Sequence, residues 1–288
     1  MPTATTIIIV HWNRSDRCEK AVRAVGDQDS PTEVVIVDNG SSPEHLDHLR
    51  QVVPDEVQII ENGTNLGFGP AANVGLRWWL RNRSGTWVGL MPHDALPAGD
   101  CLSTMLSTVA TRPRAGLVCA DFGDGATPIV DPYFGGILGP QTVAEGWEPA
   151  GHPHGTFMLA RRACLTEVGL FDERYFSYCE EADLALRASA VGWESGLVRG
   201  AMVVNPDLGS RSAAVDYLQL RNTLLQVREH SGRYKAFIRF CIGVIHLADG
   251  MVRPASRGPY WDPRARVRAL ADHLRKRYGP PPPGLLER

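Results

Sequence analysis

Ile7-Ile8-Ile9-Val10-His11-Trp12-Asn13-Arg14 is the stretch that decides how the rest of the chain is read. Four consecutive β-branched apolar residues predict a strand covered on both faces. The run then breaks into polar residues, which places His11, Asn13 and Arg14 just past its carboxyl end. A helical pattern follows, capped by Ser15 or Asp16, with Cys18, Ala21, Val22 and Val25 on one face. Val34-Val35-Ile36-Val37 predicts the second strand. Ser42 then reads as an N-cap and Pro43 as the first helical residue, with Leu46, Leu49 and Val53 inward. Strands over 57–60, 87–91 and 117–120 alternate with helices over 70–80 and 102–109. Such alternation predicts an α/β fold: a mostly parallel, Rossmann-like central sheet flanked by helices.

Past residue 121 the pattern loosens. Residues 121–147 are rich in Gly and Pro and predict long loops or a β-ribbon. A strand over 156–160, a helix over 180–191 and a last strand over 197–204 follow. From Val215 the chain reads helical, with Tyr217, Leu220, Leu224 and Val227 on one stripe, and 280–283 is a polyproline tail. The expected division is a catalytic domain over 1–213, its donor half about 1–120 and its acceptor half about 121–213, with a C-terminal helical region over 214–288. Residues 236–248 hold Phe237, Ile238, Phe240, Ile242, Val244, Ile245 and Leu247, too apolar for an exposed helix and too short to span a bilayer. That segment is expected to pack on the catalytic domain or on a second subunit, as in a homodimer, ahead of peripheral contact with a membrane.

A formal net charge of −2 gives no general pull toward nucleic acid. The six cysteines show no C-x-x-C pair and no zinc-like spacing, which points to a reduced, cytoplasmic setting. The N-terminal residues 1–6 lack a basic region and an apolar core, so no secretory signal is expected.

In an open parallel sheet, ligands bind beyond the carboxyl ends of the strands. Here each end is polar: His11 to Arg14, Asp38-Asn39-Gly40-Ser41-Ser42, Asn65-Leu66-Gly67-Phe68-Gly69, and Pro92-His93-Asp94. Each could be turn chemistry alone, but four at one edge predict a ligand site. Neither G-x-G-x-x-G after the first strand nor a G-x-x-x-x-G-K-[ST] loop is present, which argues against an NAD enzyme and a P-loop NTPase.

These motifs, continued in order by Asn73-Val74-Gly75, Asp94-Ala95-Leu96-Pro97, Gly155 to Arg162, Gly169 to Glu173 and Tyr178-Cys179-Glu180-Glu181-Ala182-Asp183, resemble family 2 glycosyltransferases of the GT-A fold. The similarity is nearest to the rhamnosyltransferase-like branch and covers roughly residues 5 to 230. It implies an inverting transferase that moves a sugar from a nucleoside-diphosphate sugar to a hydroxyl acceptor. The acceptor would be a glycan, a lipid-linked intermediate or a small natural product. dTDP or UDP is favoured, with GDP also compatible.

The resemblance also assigns roles. It makes Asp38 the acceptor for a base N–H, a role suited to an ionised carboxylate. Asn65, Gly67, Phe68 and Asn73 let backbone and helix N-terminus approach the nucleotide. Asp94 aligns with the last acid of the D-x-D element, a ligand for Mg2+ or Mn2+; the first acidic position is Pro92, and Asn205 stands where a histidine is common. His93 is a second possible ligand or a turn residue. Glu181 takes the general-base position, usually Asp, so Glu180 and Asp183 stay candidates; Asp183 and Arg187, spaced i,i+4, could simply pair. Arg211 in a flexible Gly-Ser segment would close on the diphosphate or lie in a surface loop. The role of Arg221-Asn222 is open. Two other classes compete: a nucleotidyltransferase, which would carry a Gly-rich loop after the first strand, and a non-catalytic nucleotide-sugar-binding protein.

Overall fold

A computed structural model of the chain describes residues 4–206 and 213–285. The opening run forms β1 (Thr5–His11), followed by α1 (Ser15–Gly26), β2 (Thr32–Asp38), α2 (Pro43–Val52) and β3 (Gln58–Glu61). Then come α3 (Phe68–Asn82), β4 (Trp87–Pro92), the two-residue β5 (Leu96–Pro97), α4 (Cys101–Ala110) and β6 (Ala115–Asp121). Among the described residues the main sheet has nine strands, eight of them in the order β3-β2-β1-β4-β10-β6-β11-β5, with β10 at Met158–Arg161, β11 at Glu194–Val204, and β9 (Gly146–Pro149) on β11. β3-β2-β1-β4 and β6-β11 are parallel, whereas β10 runs antiparallel to both β4 and β6. The sheet is therefore mostly parallel, as the alternation predicts, with β10, β5 and β9 inverted, which periodicity does not mark.

Period-two alternation on β1 explains the two cores. Ile7 and Ile9 face α1 and α4, packing with Cys18, Ala21, Val25, Leu102 and Met105. Ile8 and Val10 face the other side, against Leu76 and Trp79 of α3 and Leu184 and Ala188 of α6 (Glu180–Ala190). Both faces are covered, so from Ile7 onward the strand carries no polar residue until His11.

The Gly- and Pro-rich stretch resolves as an antiparallel ribbon of β7 (Ala126–Asp131) and β8 (Gly135–Pro140), followed by β9. Arg199 of β11 ties this region to the sheet from a buried position. Its guanidinium meets Asp121 at 2.9 Å and Glu148 at 2.5 Å and donates to Thr127 at 2.8 Å. Burial pushes the Glu148 carboxyl up, but hydrogen bonds from Thr142, Thr127 and Arg199 outweigh it and bring it down to about 2.

After α5 (Arg162–Val168), α6 and β11, three helices close the chain: α7 (Ala213–Ser231), α8 (Arg233–Val252) and α9 (Pro263–Leu274). Tyr217, Leu218, Leu220 and Leu224 of α7 pack with Ala265, Ala269 and Leu270 of α9 and with Phe176 from the loop before α6. α8 packs within the chain through Phe240 and Leu247, which meet the cluster of α7 and α9 residues. Only its narrow side, through Ala236, Gly243 and Gly250, is buried. Tyr234, Phe237, Val244, Ile245, Met251 and Val252 lie exposed, Phe237 by 64%. Apolar content alone does not reveal which face finds a neighbour, and here most of the apolar surface is left without one in the chain. No helix among the described residues is long and apolar enough to cross a membrane.

Candidate active site

Strand register brings the polar ends together. His11 pairs with Asp38 across β1 and β2, and Val10 with Pro92 across β1 and β4. The Nδ1 of His11 lies 2.9 Å from Asp38, both side chains buried, and the backbone N–H of Arg14 donates to His11 Nε2 at 3.2 Å. That backbone bond leaves the ring proton on Nδ1, directed at the carboxylate. The second Asp38 oxygen accepts from the Ser41 N–H at 3.1 Å. Burial raises the Asp38 carboxyl, yet the bonds from His11 and Ser41 prevail and hold it below the ordinary carboxylate range. Asn13, at φ +50°, accepts from the Ser42 N–H while its own N–H donates to Ser41, and Arg14 is exposed at the start of α1.

A cavity of about 190 Å³ opens above this floor, lined in part by Trp12, Asn39, Asn65, Gly67, Phe68 and His93. Trp12 and Asn39, absent from the expected ligands, are thus part of its wall. Asn39 donates to Asn65 at 3.0 Å and accepts from the Leu66 N–H at 2.9 Å, locking the second and third strand ends to each other. Gly67 sits at φ +89°, and a Cβ there would fall 2.2 Å from the Phe176 carbonyl oxygen, so this position excludes any side chain. The start of α3 is partly used up internally: the Phe68 N–H donates to Ser177 Oγ at 2.9 Å and the Gly67 N–H to Asn65. Asn73 is buried away from that wall. It donates to Phe171 O at 2.9 Å and to Glu173 at 3.1 Å, and accepts from the Phe171 N–H.

His93 packs edge-on against His11, with ring centroids 5.6 Å apart, rather than standing in solvent. Burial, with the neighbouring His11, lowers it to about 4, so its imidazole is neutral at physiological pH. Asp94 lies in the turn between β4 and β5. Val204 pairs antiparallel with Leu96 and Val203 with Pro97, so the end of β11, which Asn205 follows, lies against the strand that leaves the Asp94 turn. Among the described residues no group of three or more His, Cys, Asp and Glu can hold a metal. A carboxylate and an amide carbonyl are hard oxygen donors, suited to Mg2+ or Mn2+ where substrate phosphates complete the shell. Arg211 lies outside the described residues.

The acid cluster at α6 divides by environment. Asp183 is fully engaged: His230 meets it at 2.7 Å and Arg187 at 2.9 Å, and Tyr175 donates to it at 3.4 Å. Burial pushes it up, but those partners hold it low. Glu180 is buried, and burial together with Glu181 raises it well above the usual range. Glu181 lines a second cavity of about 460 Å³, and burial lifts it to about 7. Gly155 makes its room, since a Cβ there would lie 2.2 Å from Glu181 Oε1. Tyr178 lines both cavities, so the two adjoin at the loop just before Glu181.

The loop entering α6 is strained. Phe176, Tyr178 and Cys179 have φ of +66°, +70° and +72°, a region that costs L-residues about 1–2 kcal/mol each. Asn222 holds it, its Nδ2 donating to the carbonyls of Tyr175, Ser177 and Tyr178 at 2.7, 2.8 and 2.9 Å. Arg221 fixes that amide by donating to Asn222 Oδ1 at 3.0 Å, and reaches Gly279 O at 2.8 Å.

The sequence profile of Glycosyl transferase family 2 matches residues 6–169, more than half the chain. An N-acetylglucosaminyl-diphospho-decaprenol L-rhamnosyltransferase of Mycobacterium tuberculosis is 27% identical over 246 residues, 74% of this chain and 80% of its own length. A mannosyltransferase from Pyrobaculum calidifontis, solved with GDP-Man and Mn2+, superposes with a TM-score of 0.57 at 19% identity, over 94% of this chain and 75% of that one. GalNAc-T7, solved with UDP, GalNAc and Mn2+, gives 0.65 at 16% identity, over 95% of this chain and 56% of that one. With its GT-A architecture and the strand-end cavity, the chain belongs to glycosyltransferase family 2 and is an enzyme that transfers a sugar from a nucleotide-sugar donor.

Proposed function

We propose that the enzyme inverts the anomeric centre, taking a hexose from a dTDP- or UDP-linked donor to a hydroxyl of a lipid-linked diphosphate sugar. The observation that carries this is Glu181, lifted to about 7 in a cavity that shares Tyr178 with the strand-end cavity. A base with that pKa is half ionised at physiological pH and strong enough to take a hydroxyl proton. Glu181 removes the acceptor proton as the acceptor oxygen bonds to the anomeric carbon. The bond from that carbon to the diphosphate breaks on the opposite face, and one displacement inverts the centre. Asp38 and Asn39 anchor the base side of the donor, and Trp12 offers an aromatic face at the cavity mouth. Asp94 and Asn205 would hold a divalent cation, Mg2+ or Mn2+, which when bound offsets charge on the leaving diphosphate. The Mn2+ in the two solved relatives supports that assignment.

The acceptor class follows the mycobacterial relative, whose substrate is a diphospho-decaprenol. In this reading residues 1–213 are the catalytic domain and 214–288 the wall of its acceptor side. The outer stripe of α8 supports delivery at the cytoplasmic face of a membrane. Residues 233–277 carry eleven Lys and Arg against three Asp, so the stripe is set in a basic field suited to anionic lipid.

Incubation with dTDP-, UDP- and GDP-sugars in turn, scored for binding and then for hydrolysis with and without Mn2+, tests the donor side. Tight binding of a dTDP or UDP sugar with metal-stimulated turnover is expected. Pyrophosphorolysis to a nucleoside triphosphate would instead make the chain a nucleotidyltransferase, and binding without turnover a non-catalytic receptor.

A further inference from the structure

The larger cavity contains a cation that the donor chemistry does not use. Arg239, on the inner side of α8, lines it together with Glu181, His152 and His246. Arg266 and Asp216 also line it but neutralise each other, two guanidinium nitrogens meeting the two carboxylate oxygens at 2.7 and 2.8 Å. Arg239 has no such arrangement. Among the described residues it forms no ion pair, its Nε has no hydrogen-bond partner, and its guanidinium lies over the Phe134 ring at 5.3 Å. Burial, with Arg266 nearby, works against its charge, yet a guanidinium stays protonated at any physiological pH.

A half-buried charge without a counter-ion is costly unless a ligand brings one. His152 points the same way: its Nε2 is buried without a partner, and burial keeps the ring below its ordinary range and so neutral, able to donate or accept. Glu181, half protonated at neutral pH, leaves the net charge of the cavity positive.

We propose that Arg239, with His152 in the same cavity, binds a phosphoryl group of the acceptor, so that the enzyme selects phosphate-linked sugars over neutral glycosides. The inference rests on reading the Glu181 cavity as the acceptor side. A guanidinium fork matches phosphate oxygens in pairs, and an adjacent imidazole adds a third contact. The same helix turns Phe237 and Ile245 outward, so a lipid tail leaving the phosphate has an apolar surface alongside it.

The test is equilibrium binding of decyl diphosphate with UDP present to fill the donor cavity. Decyl glucoside serves as the uncharged control and inorganic pyrophosphate as the phosphate without a lipid. Wild type is expected to bind decyl diphosphate saturably and the glucoside far more weakly. Arg239→Gln should lose about tenfold or more, with partial recovery in Arg239→Lys and no loss in Glu181→Gln. Pyrophosphate binding that also depends on Arg239 assigns the site to the phosphate itself. Decyl diphosphate binding equally well to Arg239→Gln, or no better than the glucoside to wild type, overturns the proposal. UDP affinity, measured in parallel, separates the two levels. UDP bound without decyl diphosphate sinks the subsite alone, and failure to bind either UDP or dTDP sinks the donor reading. Should Arg239→Gln fail to fold, Arg239→Lys and His152→Gln carry the same comparison.

Discussion

His11 and Asp38 meet at 2.9 Å at the ends of adjacent parallel strands, sealed from solvent beneath the donor cavity. The pair fixes the Asp38 carboxylate, whose remaining lone pairs, on the proposed reading, accept from the nucleobase. Asp38→Asn removes the charge and points an amide at either His11 or the base. Nucleotide affinity should fall by roughly 1.5–3 kcal/mol, the range for hydrogen bonds to charged groups. Unchanged affinity by calorimetry would make Asp38 a structural partner of His11 only.

Glu181 sets the pH dependence. It acts as a base only when ionised, so kcat/KM should rise with pH through about 7 and level off above. Glu181→Gln should cost about 10²–10⁴ in rate and abolish that limb while leaving nucleotide affinity intact. Stability moves the other way. The folded carboxyl binds its proton more tightly than the unfolded one, so its contribution is full below the ordinary value of 4.5 and is lost as pH rises toward about 7. A loss confined to Glu180→Gln, or a product with retained configuration by NMR, would remove Glu181 from the role.

For the metal, Asp94→Ala should abolish turnover and Asn205→Ala should raise the Mn2+ concentration needed for half-maximal rate. Full wild-type activity in excess chelator would show that the reaction needs no divalent ion at this turn.

Asn222 offers a structural counterpart. Asn222→Asp keeps the shape but cannot donate, leaving the carbonyls of Tyr175, Ser177 and Tyr178 without their amide. Each buried group left unsatisfied costs about 1–3 kcal/mol, so chemical denaturation should register the loss directly. Acceptor KM should rise as well, because Tyr178 borders the Glu181 cavity. A variant with wild-type stability and KM would mean that the strained loop holds its own shape.

The apolar stripe of α8 predicts co-sedimentation with phosphatidylglycerol vesicles and little with phosphatidylcholine. Phe237→Glu combined with Ile245→Glu should leave the protein in the supernatant. A dimer in solution that dissociates in the same variant would assign the stripe to a second copy of the chain.

The strand ends were legible because buried β-branched runs stop where polar residues begin, as Val10-His11 and Val37-Asp38 do. Other features depend on partners far away in sequence. Arg221-Asn222 means nothing until Phe176, Tyr178 and Cys179 are known to sit at positive φ. β5 has two residues and no pattern, yet its pairing with β11 brings the end of β11 to the turn after β4. Asp183 and Glu181, two positions apart on one helix, read alike as acids. His230, 47 residues away, meets Asp183 at 2.7 Å and leaves Glu181 untouched. The orientation of α8 was not legible for a related reason: hydrophobicity records what a helix prefers, not which of its faces is covered.

The basic charge of residues 233–277 has an effect before any contact is made. Outside that segment the chain carries nineteen Lys and Arg against twenty-nine Asp and Glu, so the two parts of the molecule have opposite sign. The enzyme is therefore a permanent electric dipole. Near a negative surface it feels a torque as well as an attraction, within a Debye length of about 8 Å at physiological ionic strength. On the membrane reading proposed above, that torque would turn α8 and α9 inward during approach, so encounters would begin already aligned, and added salt would slow capture by randomising the orientation first.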